Sequence, residues 1–195
     1  AASAATLPLA PDPVKAPAST PPYEPPAGSL RGQTMLITGA NTGLGLESAK
    51  RLAAAGARVV VTARTQSTAD GAVDRVRAYC AERNVEAPEL IGLALDLSSL
   101  KSVSSLPERL RAAAGQGVHL EVLMNNAGVM AVPERAETAD GFERTVGVNH
   151  LGHFALTAGL MPILRKAEGG FRIINVASDA HGFVNRKQVA AALGE

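Results

Sequence analysis

An apolar run that leads into a glycine-spaced turn constrains this chain more than any other feature. The run is Met35-Leu36-Ile37, and the turn after it reads Thr38-Gly39-Ala40-Asn41-Thr42-Gly43-Leu44-Gly45. Glycines in such a turn let the chain leave a strand sharply, expose backbone amides and begin a helix close to the sheet. Because amide donors and the positive end of a helix attract anions, the segment predicts a phosphate-binding strand, turn and helix.

The surroundings of the turn support this interpretation, although its spacing differs from the commonest dinucleotide fingerprint. The chain has Gly-x-x-x-Gly-x-Gly rather than Gly-x-Gly-x-x-Gly. A helix is expected from about Leu44 to Ala55, ended by Gly56, and a second strand from Arg58 to Ala63. The alternative is a glycine turn that binds nothing.

Length, charge and cysteine content narrow the class of protein. The chain has 195 residues, of which 46% are hydrophobic, and a formal net charge of +1. This is enough for one cored domain, and the balanced charge argues against nucleic acid as a partner. The single Cys80 excludes an internal disulfide framework and is interpreted as a small apolar helix residue. No apolar stretch reaches the length of a membrane-spanning helix, so the segment from Phe154 to Leu164 is predicted to be a core helix.

The composition divides the chain into a tail and one domain. Residues 1–29 are rich in alanine and proline and are predicted to form an extended tail, whereas residues 30–195 form the domain. The absence of an initial methionine and the alanine-rich leader favour a mature protein imported into a plastid, in the stroma or in a membrane-associated assembly. A sequence that was merely trimmed at its start would look the same. The alternative location is therefore the cytoplasm.

Within the domain, short strands alternate with helices. Strands are expected near Met35, Arg58, Leu90, Glu121 and Phe171, and helices near Leu44, Thr68, Ser99, Gly141 and from Leu151 to Lys166. This order predicts an α/β fold with a doubly wound parallel sheet, truncated after about five strands. The runs Val59-Val60-Val61 and Ile173-Ile174 are apolar at successive positions, which is typical of strands covered on both faces.

The residue that follows the second strand bears on the choice of cofactor. An NAD site usually has an acidic residue there for the ribose hydroxyls, but this chain has Arg64, nineteen residues after Gly45. A guanidinium attracts a 2′-phosphate, so the position favours NADP(H). The alternative is an arginine in a loop that contacts only water.

Polar residues also follow the third and fourth strands, where ligands bind in open α/β sheets. Asp96 and Leu97 come after the third strand, and Asn125-Asn126-Ala127-Gly128 comes after the fourth. Asp96 can accept a hydrogen bond from an adenine amino group, and Asn125 to Gly128 can shape the backbone beside the cofactor. Alternatively, Asp96 caps the helix that begins near Ser99.

Together these motifs resemble the short-chain dehydrogenase/reductase family, over about Leu30 to Gly182. The segments 138–143 and 148–154 resemble the branch that holds retinol dehydrogenases, protochlorophyllide reductases and plastid-envelope dehydrogenases. The resemblance implies a Rossmann-type sheet, an NADPH preference and a carbonyl or alcohol substrate.

The resemblance also implies two residues of the family's catalytic tetrad. Asn149 matches the asparagine that holds a water and bends the long helix, and Ser178 matches the serine that binds the substrate carbonyl. The Tyr-x-x-x-Lys pair does not appear: the commonest spacing from Ser178 falls on Ala191 and Glu195, and the longer interval of this branch falls beyond Glu195. Without that acid, turnover is expected to fall by roughly a hundredfold to ten-thousandfold.

The remaining candidates favour no second site. The histidines His150, His153 and His181 have no cysteine or carboxylate partner at metal-ligand spacing, so we interpret them as structural and predict no metal. Lys187 is conceivable as a substitute cation near the cofactor, but a solvated lysine is the favoured interpretation.

Three functions remain possible at this stage. The first is an NADPH-dependent oxidoreductase whose tyrosine and lysine lie outside this sequence. The second is a non-catalytic Rossmann-type subunit that docks in a larger assembly, with a protein partner covering the truncated side of the sheet. The third is a regulatory NADPH sensor.

Overall fold

The computed structural model describes residues 23–130 and 132–178. Its strands are β1 (Thr34–Ile37), β2 (Arg58–Ala63), β3 (Leu90–Ala94), β4 (Val122–Asn125) and β5 (Arg172–Asn175). Its helices are α1 (Gly43–Ala54), α2 (Gln66–Glu82), α3 (Leu100–Ala114), α4 (Arg144–Val146), a π-helix (Gly147–Gly152) and α5 (His153–Leu164).

The five strands form one parallel sheet in the order β3-β2-β1-β4-β5. The order reverses direction between β1 and β4, because the chain returns to the other side of β1 after β3. In doubly wound sheets such a switch opens a crevice at the carboxyl ends of the strands. The predicted fold class is therefore confirmed, and the predicted bounds of β2 are those observed.

Apolar side chains on the two faces of the sheet build two cores. Val60 packs on one face with residues of α3 and α5, whereas Val59 and Val61 pack on the other with residues of α1 and α2. All three valines are fully buried. This confirms the prediction that this strand is covered on both faces.

The same prediction is wrong for β5. Ile173 packs against the first core, but Ile174 is 44% exposed. The physical reason is position: in the described part of the chain, β5 pairs only with β4 and no helix lies over the face that carries Ile174.

The helix predicted near Gly141 begins later than expected. Gly141 has a φ of +83° and lies in a turn, in which the Thr138 amide donates to the Phe142 carbonyl. Glu143 then caps α4 by accepting from the amides of Thr145 and Val146. From there α4, the π-helix and α5 run on continuously to Leu164, two residues short of the predicted end.

Turns precede the first strand. Residues 27–32 form these turns, and the Leu30 amide donates to the Ala55 carbonyl after α1, which ties the start of the predicted domain to that helix. Residues 1–22, His181, Lys187, Ala191 and Glu195 lie outside the described residues. Within 23–130 and 132–178, no helix combines the length and apolarity needed to cross a membrane.

Candidate functional site

Two adjoining clefts open at the carboxyl ends of the strands. The first cleft, of about 740 Å³, lies between the turn after β1 and the segments that follow β2 and β3. The second cleft, of about 930 Å³, lies between the segment after β4, the π-helix and the segment after β5. Residues 126–129 line both clefts and form the wall between them.

The predicted phosphate turn has the backbone that its glycines require. Gly39 and Gly43 have φ values of +62° and +55°, in the left-handed region that favours glycine. A Cβ on Gly45 would lie 2.5 Å from Nδ2 of Asn126 and 2.7 Å from the Gly39 carbonyl oxygen. Gly45 therefore allows α1 to begin close to the segment after β4.

The amino-terminal end of α1 presents open backbone amides to its surroundings. Thr42 precedes the helix, and its side chain makes no capping hydrogen bond. Among the described residues, no acceptor binds the amides of Gly43, Leu44 and Gly45, and a Cβ on Gly43 would meet nothing within 4 Å. Asn41 and Thr42 line the first cleft beside these amides. Open backbone donors at a helix start fit a phosphate group.

Arg64 follows β2 directly and lines the first cleft with Thr65 and Thr68. Thr65 caps α2, because its Oγ1 accepts from the Thr68 amide. In the described part of the chain, the Arg64 guanidinium forms no hydrogen bond and no ion pair with another residue. This position leaves its donors available to an anion in the cleft.

Asp96 lines the first cleft with Leu97, as expected for a residue after β3. Its Oδ1 accepts from the Ser98 amide at 2.9 Å and from Ser98 Oγ at 2.7 Å. The alternative that Asp96 caps α3 is wrong, because Ser99 fills that position and accepts from the Ser102 amide.

Asn126 fastens the wall between the clefts to the glycine turn. Its Nδ2 donates to the Thr38 carbonyl oxygen at 2.9 Å. Ala127 lies against the turn on the same side, since a Cβ on Gly39 would approach its Cβ to 2.9 Å. Gly128 comes next and lines both clefts.

Asn125 differs from its neighbours because it is buried, with 5% of its surface exposed. Its Nδ2 donates to Oδ1 of Asn175 at 2.8 Å and to Oγ1 of Thr157 at 3.2 Å. It therefore joins the ends of β4 and β5 to α5, at the base of the second cleft.

Asn149 lies within the π-helix, where the long helix departs from α geometry. Its Oδ1 accepts from the Val129 amide and its Nδ2 donates to the Val129 carbonyl oxygen, both at 2.8 Å. The structure brings Asn149 and Ser178 to the same second cleft. The π-helix lies where the resemblance implied a bend, whereas the bend itself and the role of Asn149 in holding a water stay predictions.

Thr38 is a site residue that the sequence analysis missed. It is fully buried, and its Oγ1 accepts from the amides of Asn126 and Ala127, each at 2.9 Å. The same oxygen lies 2.9 Å from Nε2 of His153. A threonine directly before the first glycine of the turn was the only sequence signal for this role.

The histidines of the π-helix region differ in environment. His150 is exposed and lines the second cleft, whereas His153 is buried, with 7% of its surface exposed. Burial lowers the pKa of His153, although a hydrogen bond with the Asn149 carbonyl acts in the opposite direction. No three metal-binding side chains cluster within the ranges that the structure describes.

Comparison with known proteins places these features in a family. The family model described as short chain dehydrogenase matches residues 33–191. The chain is 42% identical to retinol dehydrogenase 12 of Homo sapiens over 152 residues, which are 78% of this chain and 45% of that protein. It is 42% identical to polyprenol dehydrogenase of Mus musculus over 164 residues, 83% of this chain and 45% of that protein. The chain thus spans about half the length of the curated relatives it matches.

A solved structure agrees with this placement. The RhlG/NADP active-site complex of Pseudomonas aeruginosa matches with a TM-score of 0.62 and 31% sequence identity, over 78% of this chain and 57% of that one. With the glycine turn, the parallel sheet and the family match over most of its length, this chain belongs to the short-chain dehydrogenase/reductase family, in its retinol dehydrogenase branch.

Proposed function

We propose that this chain forms the NADP(H) site and part of the active site of an oxidoreductase that interconverts a carbonyl and an alcohol. The observation that carries the proposal is a pair of donor groups at the first cleft that have no acceptor among residues 23–130 and 132–178. The amides at the start of α1 suit a pyrophosphate, and the Arg64 guanidinium suits a 2′-phosphate. Similarity to the RhlG/NADP complex supports the same cofactor.

The remaining predicted residues have consistent places in this arrangement. Asp96 lines the part of the first cleft where an adenine is proposed to bind, and its carboxylate can accept a hydrogen bond from the adenine amino group. Residues 126–128 separate that position from the second cleft, where Asn149 and Ser178 lie. The nicotinamide ring, when bound, supplies or accepts the hydride.

In the second cleft, each residue of this chain has a separate task. The Ser178 hydroxyl is proposed to donate a hydrogen bond to the substrate oxygen and so orient the carbonyl. Asn149 holds Val129 through two hydrogen bonds and thereby fixes the wall against which the reacting atoms lie. The proton donor is proposed to be the tyrosine of the family's Tyr-x-x-x-Lys pair, which this sequence does not contain.

Apolar side chains around the second cleft suggest the kind of substrate. Met130 is 83% exposed and Phe154 is 69% exposed, and both line this cleft with Val176. Burial of such side chains by a hydrocarbon chain is favourable. The names of the relatives, a retinol dehydrogenase and a polyprenol dehydrogenase, support an apolar alcohol or aldehyde as the substrate class.

The cofactor proposal is tested by calorimetric titration of wild type and of Arg64→Gln with NADPH and NADH. Loss of a charge-assisted hydrogen bond weakens binding by roughly 10- to 100-fold, so NADPH affinity is expected to fall by that factor while NADH affinity stays unchanged. Arg75→Gln is the control, because Arg75 lies on the exposed face of α2 and does not line the cleft. Equal NADPH affinity for wild type and Arg64→Gln would overturn the proposed role of Arg64.

The reaction is tested by following NADPH oxidation with retinaldehyde and with a short polar aldehyde. Reduction of retinaldehyde that falls in Ser178→Ala supports the proposal. If NADPH binds but the natural protein reduces neither aldehyde, the carbonyl-reducing function is wrong for these substrate classes.

A further inference from the structure

His153 joins the π-helix to the glycine turn through a buried chain of hydrogen bonds. Its Nδ1 lies 3.1 Å from the Asn149 carbonyl oxygen, and its Nε2 lies 2.9 Å from Thr38 Oγ1. Thr38 Oγ1 is in turn bound by the amides of Asn126 and Ala127. A single imidazole therefore connects the helix that carries Asn149 with the wall between the two clefts.

Counting the donors and acceptors at Thr38 Oγ1 shows which atom donates in each of these hydrogen bonds. A hydroxyl oxygen accepts two hydrogen bonds and donates one. Thr38 Oγ1 already accepts from two amides, so its proton must point at another acceptor. His153 Nε2 at 2.9 Å fits better than the Met124 carbonyl oxygen at 3.5 Å, which is too distant for a good O–H···O bond. Nε2 is therefore the unprotonated nitrogen, and Nδ1–H donates to the Asn149 carbonyl.

The π-helix explains why that carbonyl is available. In an α-helix the amide of residue 153 would donate to the carbonyl of residue 149. Here the His153 amide donates to the His150 carbonyl instead. The imidazole Nδ1–H binds the Asn149 carbonyl, so the side chain of His153 replaces a backbone bond that the helix does not make.

No charge on a neighbouring element opposes this neutral form. Neither β1, β4 nor residues 125–129 carry an ionisable side chain. The ionisable residues on the other elements around the ring are His150 on the π-helix, Arg144 on α4, Asp96 after β3, and Lys101, Glu108, Arg109 and Arg111 on α3. Asp96 is bound to Ser98. Among the residues that the structure describes, burial and the Asn149 carbonyl are the influences on the pKa of His153, with burial dominant and lowering it.

We propose that His153 is a positioning residue, which as a neutral, Nδ1-protonated imidazole holds Asn149 in register with the wall that separates the two clefts. Protonation of Nε2 would place a donor against a hydroxyl that has no acceptor site left, so the imidazolium form breaks the chain of bonds. The positioning role rests on the proposed function, because it supposes that Asn149 takes part in turnover. The protonation state and its partners do not depend on that function.

The first test is nitrogen-15 NMR of the histidine rings in the natural protein. We expect His153 to carry its proton on Nδ1 and to be more than half neutral at the ordinary histidine pKa of about 6.5. A ring protonated on Nε2, or one that is mostly imidazolium at that pH, would overturn the inference. This measurement requires no activity, so it decides the matter even if the protein reduces no carbonyl and the proposed function is wrong.

The second test uses substitutions that remove the two hydrogen bonds of the His153 ring one at a time. His153→Asn keeps a donor near the position of Nδ1, His153→Gln keeps an acceptor near that of Nε2, and His153→Leu removes both. We expect kcat to fall about tenfold in the Gln and Leu variants, with the KM for NADPH within about twofold of wild type, and to recover in the Asn variant. If the Leu variant does not fold, the Asn and Gln variants still give the comparison.

A combined variant shows whether His153 acts through Asn149. In the Asn149→Ala background, His153→Gln is expected to lower kcat by less than about twofold, because the residue that it positions is gone. A further tenfold loss in that background, or equal losses in the Asn and Gln variants, would mean that His153 contributes only to general packing.

Discussion

Replacement of Thr38 by valine measures how much one buried hydroxyl contributes to the free energy of unfolding. Valine has nearly the same shape as threonine, so no cavity forms, but three partners lose their hydrogen bonds: the amides of Asn126 and Ala127 and Nε2 of His153. An unpartnered buried polar group costs about 1–3 kcal/mol. Because Asn126 and Ala127 are only half-buried, the lower end applies to each amide. We therefore expect a loss of about 3–4 kcal/mol in the free energy of unfolding.

Thr38→Ser is the matched control, since it keeps the hydroxyl and removes one buried methyl group. Its expected cost is about 1 kcal/mol. Both free energies are measured by urea unfolding of the natural protein at neutral pH, with fluorescence and circular dichroism compared to check that the transition is two-state. If the valine and serine variants differ by less than about 1 kcal/mol, the hydroxyl does not anchor the wall between the clefts.

Three further predictions address other parts of the fold. Since folded His153 has a lowered pKa, the unfolded chain takes up its proton first as pH falls below about 6.5; stability should then decrease by at most about 1.4 kcal/mol per pH unit, and an unchanged slope in His153→Asn would contradict this. Gly45→Ala should lose about 1–3 kcal/mol in thermal unfolding because its Cβ would meet Asn126, whereas Gly71→Ala on α2, which meets nothing, should gain about 0.5–1 kcal/mol; equal shifts would refute the packing argument. Ser99→Ala should cost about 1 kcal/mol by removing the cap of α3, and an unchanged urea midpoint would show that the cap contributes nothing.

Local signals predicted much of the sheet and of the first cleft. The β-branched run of β2 is a strand by composition, and Arg64 follows it directly, so both could be placed without knowledge of the fold. The glycine turn could likewise be predicted from its local sequence. The family resemblance added Asn149 and Ser178, and the structure places both at one cleft.

Features that depend on distant contacts could not be predicted. The bond between Thr38 and His153 joins residues 115 positions apart, and it exists only because β4 lies beside β1. The 3.6-residue period that reveals an α-helix in a sequence does not reveal the π-helix, because one short π-helical segment produces no repeating pattern of its own. The exposure of Ile174 depends on what covers β5, which an apolar run does not specify. The plastid location and the hypothesis of a docked non-catalytic subunit stay predictions.

The wall formed by residues 126–129 is held from both sides, by Thr38 and the glycine turn on one and by Asn149 on the other. A partition anchored on both sides keeps its backbone in place when only one side changes. We expect substitutions in the second cleft that spare Thr38 and Asn149 to leave the backbone of the first cleft where it is. Under the proposed function, the substrate could then change during evolution while the cofactor preference is retained.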